Sequence, residues 1–205
     1  MVEADALAVH INPIQEVVQP EGDRNFGNLL PKLEKVVKKL SVPVIAKEVG
    51  FGLSYDVVAR LYSVGVRIFD TAGWGGTNWS FVEGARGLGS RELGELFSQW
   101  GIPTAESIVQ ANKFKSSLTP SHQSLVTILG SGGIRNGIEI AKAIALGSDL
   151  VGIAAPFAQA ALISSEEVEK LIQKYASELK ISMFGLGARR LSSLYNTAQK
   201  KGYLK

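Results

Sequence analysis

Residues 129–157 read LGSGGIRNGIEIAKAIALGSDLVGIAAPF, and this stretch contains one full repeat of the pattern that predicts the fold. A short apolar run ends in a Gly-Ser-Gly-Gly turn, a helix-length segment follows, and a second short apolar run ends in small residues. Short apolar runs that alternate with helical segments favour parallel strands joined by right-handed crossovers. The stretch therefore predicts a strand–helix–strand unit of an α/β protein.

The same alternation extends over the rest of the chain. Near-continuous apolar runs predict five strands, at residues 5–12, 42–48, 66–70, 125–129 and 150–153. Helices are predicted at 28–40, from Ser54 as N-cap to about 64, at 91–100, 104–114 and 136–146, and over most of 156–194. Because composition does not change along the chain, residues 1–205 are predicted to form a single α/β domain.

Composition excludes several classes of protein. The 205 residues are 45% hydrophobic and 20% charged, which is typical of a globular chain rather than a disordered one. No apolar run approaches the ~18 residues needed to span a bilayer, and the acidic start lacks the positive region of a signal peptide, so we expect a cytoplasmic protein without a membrane partner. Cysteine is absent, which excludes disulfides and thiolate catalysis. The net charge of +3 is dispersed, which favours solvated helix faces over a nucleic-acid partner.

The two glycine-rich and small-residue turns of the opening stretch predict a phosphate site. Gly133 lies in a turn between a strand and a helix, where backbone N–H groups can approach an anion, and Arg135 can add a charge-assisted contact. Ala154 and Ala155 follow the next strand and leave room for the same phosphate. The alternative is a tight turn with no ligand, but the pairing of two such loops favours phosphate.

A cluster of polar residues follows the first strand. Alternation places His10 and Asn12 on one face at its carboxyl end, and Gln15 and Glu16 come directly after. Glu16 is a candidate ligand for magnesium, and Gln15 can orient a substrate or relay a proton. A lone histidine here is more often structural, whereas the set HxNPxQE favours an active site.

Two further positions can contribute to the same site. Lys47 ends the second strand on the face that also carries Ile45, where an ammonium requires either a bound anion or a carboxylate such as Glu48 or Asp70. The loop DTAGWGGTNW follows the third strand and offers the hydroxyl of Thr77 to a phosphate or a ring edge.

These segments resemble the type 2 isopentenyl-diphosphate isomerases, which are flavin enzymes of isoprenoid synthesis built on a (β/α)8 barrel of the TIM type. The matching stretches, in chain order, are ADALAVHINPIQEVVQPEGDRNF, VPVIAKEVGFGLS, FDTAGWGGTNW, WGIPTAES, GSGGIRNGIEIAKAIALGSDLVGIAAPF and MFGLGAR. The HINPIQE…QPEGD pattern is specific to this family among flavin barrels. The resemblance implies that the chain is the carboxyl-terminal part of an FMN-binding barrel, with strands 4–8 present.

The resemblance also implies an activity and a set of site residues. The family converts isopentenyl diphosphate to dimethylallyl diphosphate with reduced FMN and magnesium, and NADPH or another reductant reduces the flavin. Gln15, His10 and Asn12 match catalytic positions, and Glu16 matches the magnesium ligand. Lys47, Thr77, Gly133, Arg135, Ala154 and Ala155 match positions around FMN, the last four near its phosphate.

The family's proteins are longer at the amino end, and a closed barrel needs eight strands. We therefore expect this chain to be a truncated piece, from an internal start, a split gene or deliberate engineering. Its two open sheet edges favour association, either as a homo-oligomer or with the missing amino-terminal portion, and we expect no turnover by the chain alone.

Two other functions remain open. An FMN-dependent α-hydroxy-acid oxidase or dehydrogenase shares the strand lysine and the GSGGIR turn, but carries a His-Gly-Gly where residues 72–77 read AGWGGT. A non-catalytic fragment or subunit is the other alternative.

Overall fold

The computed structural model describes residues 3–19, 21–86 and 91–200, with side chains described as far as residue 197. One parallel sheet holds β1 (Leu7–His10), β2 (Val44–Lys47), β3 (Ile68–Asp70), β4 (Thr127–Ser131) and β5 (Leu150–Gly152). The strands lie side by side in chain order. This confirms the predicted α/β class and all five strands, each at or near its predicted position.

The helices, in chain order, are α1 (Pro13–Val18), α2 (Leu29–Lys39), α3 (Tyr55–Ser63), α4 (Trp79–Ala85), α5 (Arg91–Phe97), α6 (Thr104–Ser117), α7 (Pro120–Gln123), α8 (Gly137–Leu146), α9 (Ala155–Ala161), α10 (Ser165–Leu186) and α11 (Leu194–Lys200), with a short 3-10 helix at Leu191–Ser193. Ser54 caps α3 as predicted, its side chain accepting from the Val57 N–H at 3.3 Å. The sequence reading missed α1, α4 and α7, which are all short.

The carboxyl-terminal segment, predicted as helical throughout, is divided by two caps. Ser164 accepts from the Glu167 N–H at 3.3 Å and starts α10, which separates it from α9. Gly187, at φ +71°, ends α10 in the left-handed conformation that glycine adopts without strain.

Alternation along the strands divides the sheet into two different faces. Val44 and Ala46 of β2 are buried against the helices, whereas Ile45 and Lys47 point to the opposite face and are half-buried. The buried face carries the main core, which consists of Leu33, Val44, Ala46, Leu53, Val58, Leu61, Val66, Phe69, Ala111, Phe114, Val126 and Ile128. The opposite face is consequently available for a cavity.

Both edge strands expose apolar side chains in the described part of the chain. Leu7 of β1 is 41% exposed and Leu150 of β5 is 56% exposed. Leu162 and Phe184, near the ends of α9 and α10, are each 88% exposed. The exposed side chains on β1 and β5 agree with the two open sheet edges expected of a five-stranded sheet. None of the described helices combines the length and the apolar character needed to cross a membrane.

Candidate functional site

A cavity of about 800 Å³ lies at the carboxyl ends of the strands. In a parallel sheet these ends share one edge, so the loops that follow them converge there. Most of the predicted site residues line it, namely His10, Gln15, Lys47, Thr77, Gly133, Arg135, Ala154 and Ala155. Asn12 and Glu16 lie outside the described lining.

The floor of the cavity is a row of polar side chains set by strand register. His10 is aligned with Lys47, and Lys47 with Asp70, across three adjacent strands. The Lys47 ammonium donates to Asp70 Oδ2 at 2.7 Å, and the hydroxyl of Ser131 donates to Asp70 Oδ1. Lys47 therefore has the carboxylate partner that the sequence left open, and its side chain, 40% exposed, still faces the cavity.

Asp70 and Ser131 were not among the predicted site residues. Both line the cavity and both are buried, Asp70 being 9% exposed. A signal for Asp70 existed, because it ends β3 just as Lys47 ends β2. Ser131 likewise ends β4, but its partner lies 61 residues away in the chain, so the contact itself could not be predicted.

The turn after β4 has a backbone that requires glycine. Gly133 has φ +77°, and a Cβ there would overlap the carbonyl of Gly75 and lie 3.0 Å from the Gly76 nitrogen. The Arg135 guanidinium donates to Gly75 O at 2.7 Å and also to Gly133 O, so it joins the loops that follow β3 and β4. Among the described residues, no acceptor is recorded for the backbone N–H groups of Gly133 and Ile134. The turn thus combines free amides with an exposed guanidinium, as an anion site requires.

The N-terminus of α8, by contrast, already has its acceptors. The Asn136 side chain accepts from the Glu139 N–H at 2.9 Å, and the Glu139 carboxylate accepts from the Arg135 N–H at 2.7 Å. Glu178 of α10 accepts from the Gly137 N–H at 2.7 Å. A phosphate therefore fits beside the Gly133 turn and the start of α9 rather than on the first turn of α8.

Asn12 is buried and caps α1. Its Oδ1 accepts from the Gln15 backbone N–H at 2.8 Å, and the residue is 1% exposed. This explains why a short helix begins directly after β1. The structure gives Asn12 a role in placing Gln15, while its predicted catalytic role stays a prediction.

Gln15 lines the cavity and carries a buried, unsatisfied acceptor. Its Nε2 donates to Glu83 Oε1 at 3.2 Å, which fixes the orientation of the amide. Its Oε1 is buried and has no donor among the described residues. Glu83, in a segment that the sequence reading left as a polar stretch, is itself buried and accepts from the Arg86 guanidinium at 2.7 Å. A buried oxygen without a donor is uncommon in folded proteins and marks Gln15 as a candidate functional residue.

Glu16 lies on α1 and is half-buried. Its Oε2 accepts from the Asp23 N–H at 3.0 Å. Within the described ranges, no three carboxylate or imidazole groups come together as a metal cluster. Magnesium commonly takes one or two carboxylates and completes its coordination with water and phosphate oxygens. A single carboxylate is compatible with that requirement, so Glu16 stays a candidate ligand.

Glu48 is the most perturbed acid of the site region. It is 4% exposed, and burial raises its pKa to about 7. Its Oε2 accepts from the backbone N–H groups of Val49 at 2.7 Å, Gly50 at 3.0 Å and Phe51 at 2.7 Å. Val49 and Gly50 line the cavity, so this buried carboxylate holds the backbone of part of the cavity wall in place through hydrogen bonds.

The chain has two histidines, and only one is in the site. His10 is exposed at the end of β1 and lines the cavity, whereas His122 lies exposed on α7. Ala72 stands in the cavity wall on the loop where a hydroxy-acid oxidase would carry its histidine.

Comparison with known proteins shows the family of the chain. The family model for FMN-dependent dehydrogenase matches residues 30–201. The isopentenyl-diphosphate delta-isomerase of Synechococcus sp. is 49% identical over 183 residues, which cover 88% of this chain and 50% of that protein. The protein of the same name from Sulfurisphaera tokodaii is 45% identical over 202 residues, covering 96% and 53%. The predicted resemblance is thereby confirmed.

A solved structure shows the same fold at lower identity. A flavocytochrome b2 variant with sulfite bound superposes with a TM-score of 0.68 at 19% identity, over 94% of this chain and 46% of that one. The chain spans about half the length of the curated relatives it matches.

Proposed function

Since the chain belongs to the FMN-dependent dehydrogenase family, we propose that it binds FMN in the cavity at the carboxyl ends of its strands. The observation that carries this proposal is the turn at Gly133, with its free amides and the guanidinium of Arg135. These groups, with the backbone at Ala154 and Ala155, would hold the phosphate. Lys47 and Thr77 would contact the ring system from the other walls of the same cavity.

We further propose that the site belongs to an isopentenyl-diphosphate isomerase. Reduced FMN, when bound, supplies a ring nitrogen that can give or take a proton. Gln15 would orient the substrate through its unpaired Oε1, with Glu83 holding the amide in place. His10 would contact the substrate from the end of β1, and Asn12 would act with Gln15, whose backbone it caps.

The diphosphate of the substrate would be bound near Glu16. That carboxylate would hold magnesium together with water and diphosphate oxygens. NADPH is proposed only as a source of electrons for the flavin. Double-bond movement itself requires no net oxidation, because one proton is added and one is lost.

We propose that the five strands correspond to strands 4–8 of an eight-stranded barrel. In that arrangement the open edges at β1 and β5 would be covered by further strands, supplied by an amino-terminal portion or by assembly into a homo-oligomer. Turnover by this chain alone is therefore not expected. A cytoplasmic location stays a prediction.

The test is a titration of the purified chain with FMN, followed by quenching of flavin fluorescence. Saturable binding is expected, and Arg135→Gln is expected to weaken it by about tenfold because a charge-assisted phosphate contact is lost. Arg60→Gln is the matched control, since Arg60 is an exposed arginine on α3. An absence of saturable binding by the wild-type chain would contradict the FMN proposal.

A second measurement separates the candidate functions. The chain, with an amino-terminal portion of a relative added, is incubated with reduced FMN, magnesium and isopentenyl diphosphate, and dimethylallyl diphosphate is measured. Product supports the isomerase. Oxidation of a 2-hydroxy acid by the same preparation would favour the hydroxy-acid oxidase, and FMN binding with neither activity would favour a non-catalytic subunit.

A further inference from the structure

The buried carboxylate of Glu48 connects two parts of the cavity wall that come from distant parts of the chain. We propose that Glu48 is a positioning residue, which ties the loop after β2 to the start of α1 and so fixes Thr77 and Gln15 relative to each other. This inference rests on the proposed FMN site, to which it adds a residue that touches neither flavin nor substrate.

On one side, Glu48 organises the loop after β2. Three consecutive N–H groups, those of Val49, Gly50 and Phe51, converge on its Oε2 at 2.7–3.0 Å. Gly50 then lies tightly against the next loop, because a Cβ at its φ of +138° would lie 2.7 Å from the Thr77 carbonyl oxygen. The Glu48 carboxylate fixes the position of Gly50, and Gly50 in turn restricts the position of the Thr77 backbone.

On the other side, Glu48 faces the cap of α1. Asn12 Nδ2 lies 3.5 Å from Glu48 Oε2, at the long end of the hydrogen-bond range. The other end of the same side chain, Oδ1, accepts from the Gln15 N–H at 2.8 Å. One amide therefore bridges the carboxylate and the helix that carries Gln15, and its two different ends fix its orientation.

The three loop N–H groups require an acceptor oxygen at this buried position. Burying a charge is costly, and three amide donors at one oxygen reduce that cost in part. An apolar residue of similar size would leave the same three N–H groups without an acceptor in a buried place. A glutamine would retain one carbonyl oxygen for them, so it should preserve most of the geometry.

The test uses amide hydrogen exchange on the full chain, because this measurement needs no flavin. In Glu48→Leu, the amides of Val49, Gly50 and Phe51 are expected to exchange about tenfold faster, and that of Gln15 by a smaller factor. The Ile128 amide, in the core strand β4, reports overall stability. Glu106→Leu, at an exposed glutamate of α6, is the control and should change none of these.

The second measurement is the affinity for FMN, and it compares Glu48→Leu with the conservative variant Glu48→Gln. Glu48→Leu should weaken FMN binding about fivefold or more, whereas Glu48→Gln should restore most of the affinity and most of the protection. If Glu48→Leu does not fold, Glu48→Gln alone should still speed exchange at the three loop amides more than at Ile128.

Two results would overturn the inference. One is equal acceleration at the loop amides and at Ile128, which would mean a general loss of stability. The other is unchanged exchange at Gln15 when the loop amides are released, which would mean that the loop and α1 are not coupled. If FMN does not bind to the wild-type chain, the proposed function fails, while the exchange results still decide the coupling.

Discussion

The turn that forms the proposed phosphate cradle should be intolerant of any side chain at Gly133. In Gly133→Ala the new methyl group would meet the Gly75 carbonyl, and the backbone would keep φ +77°, which alanine adopts only with strain. Substitutions at two other glycines allow the cost of the backbone strain to be measured apart from the cost of the steric overlap. Gly187 has φ +71° with nothing within 4 Å of its Cβ position, and Gly185 has open space and lies within α10.

These geometries give a ranked set of stabilities. Gly187→Ala should cost about 1 kcal/mol, which is the strain of the left-handed backbone alone. Gly133→Ala should cost about 3 kcal/mol, because the overlap forces the Gly75 loop to move in addition to that strain. Gly185→Ala should gain roughly 0.5 kcal/mol, since alanine is the better helix former.

Urea unfolding followed by circular dichroism measures the three changes in the free energy of unfolding, and FMN titration follows each variant. Gly133→Ala should also lose flavin affinity, whereas the two changes at the end of α10 should leave it intact. The reasoning would be refuted by a Gly133→Ala variant that is as stable as Gly187→Ala, because the overlap with Gly75 would then carry no cost.

Three further outcomes are expected. Burial raises the pKa of Glu48 to about 7 from an ordinary 4.5, so between these pH values the native state holds a proton that the unfolded chain has lost. The contribution of this group to the free energy of unfolding is therefore full below pH 4.5 and falls as the pH rises to about 7. The total change is about 3 kcal/mol. Urea melts at pH 4.5 and 7.5 should show a flatter profile for Glu48→Gln than for the wild type. Asp70→Asn should cost about 1 kcal/mol through loss of the ion pair with Lys47, whose side chain is 40% exposed. The cost should shrink in a Lys47→Met background when the double-mutant cycle is measured by urea unfolding. Phe184→Ser should reduce self-association in analytical ultracentrifugation without lowering stability, because that ring is 88% exposed.

The strands and the place of the site were predictable because both follow from local patterns. Apolar runs that are buried on at least one face mark parallel strands, and residues at the ends of those strands must share one edge of the sheet. Turn composition could therefore mark Gly133 as a phosphate position, whereas spacing left Lys47 open between a bound anion and a carboxylate partner. The resemblance to the isomerases added roles to these residues.

What the sequence could not reveal are contacts between distant segments. Helices as short as α1 are not stable by themselves, so its formation depends on the Asn12 cap and on packing against the rest of the fold. Glu83 reaches Gln15 across 68 residues of chain, and no local pattern marks such a pair. The contact of Ser131 with Asp70 escaped prediction for the same reason, because the two residues lie 61 positions apart. Glu48 was predicted only as a possible partner of Lys47, whereas the structure pairs Lys47 with Asp70 and turns Glu48 towards the backbone N–H groups of the loop that follows it.

The two ends of the cavity differ in how completely this chain builds them. At the proposed phosphate end, contacts between loops of this chain hold the wall of the cavity together. Arg135 joins the turns after β3 and β4, and the Thr104 hydroxyl donates to Gly132 O at 2.6 Å. At the other end, His10 is exposed on β1, which is an edge strand of the sheet within the described part of the chain. Binding of the proposed flavin would thus depend on groups that the chain supplies itself. Enclosure of the proposed substrate beside His10 would depend on what comes to lie against β1, and for that reason we expect experiments to separate FMN binding from turnover.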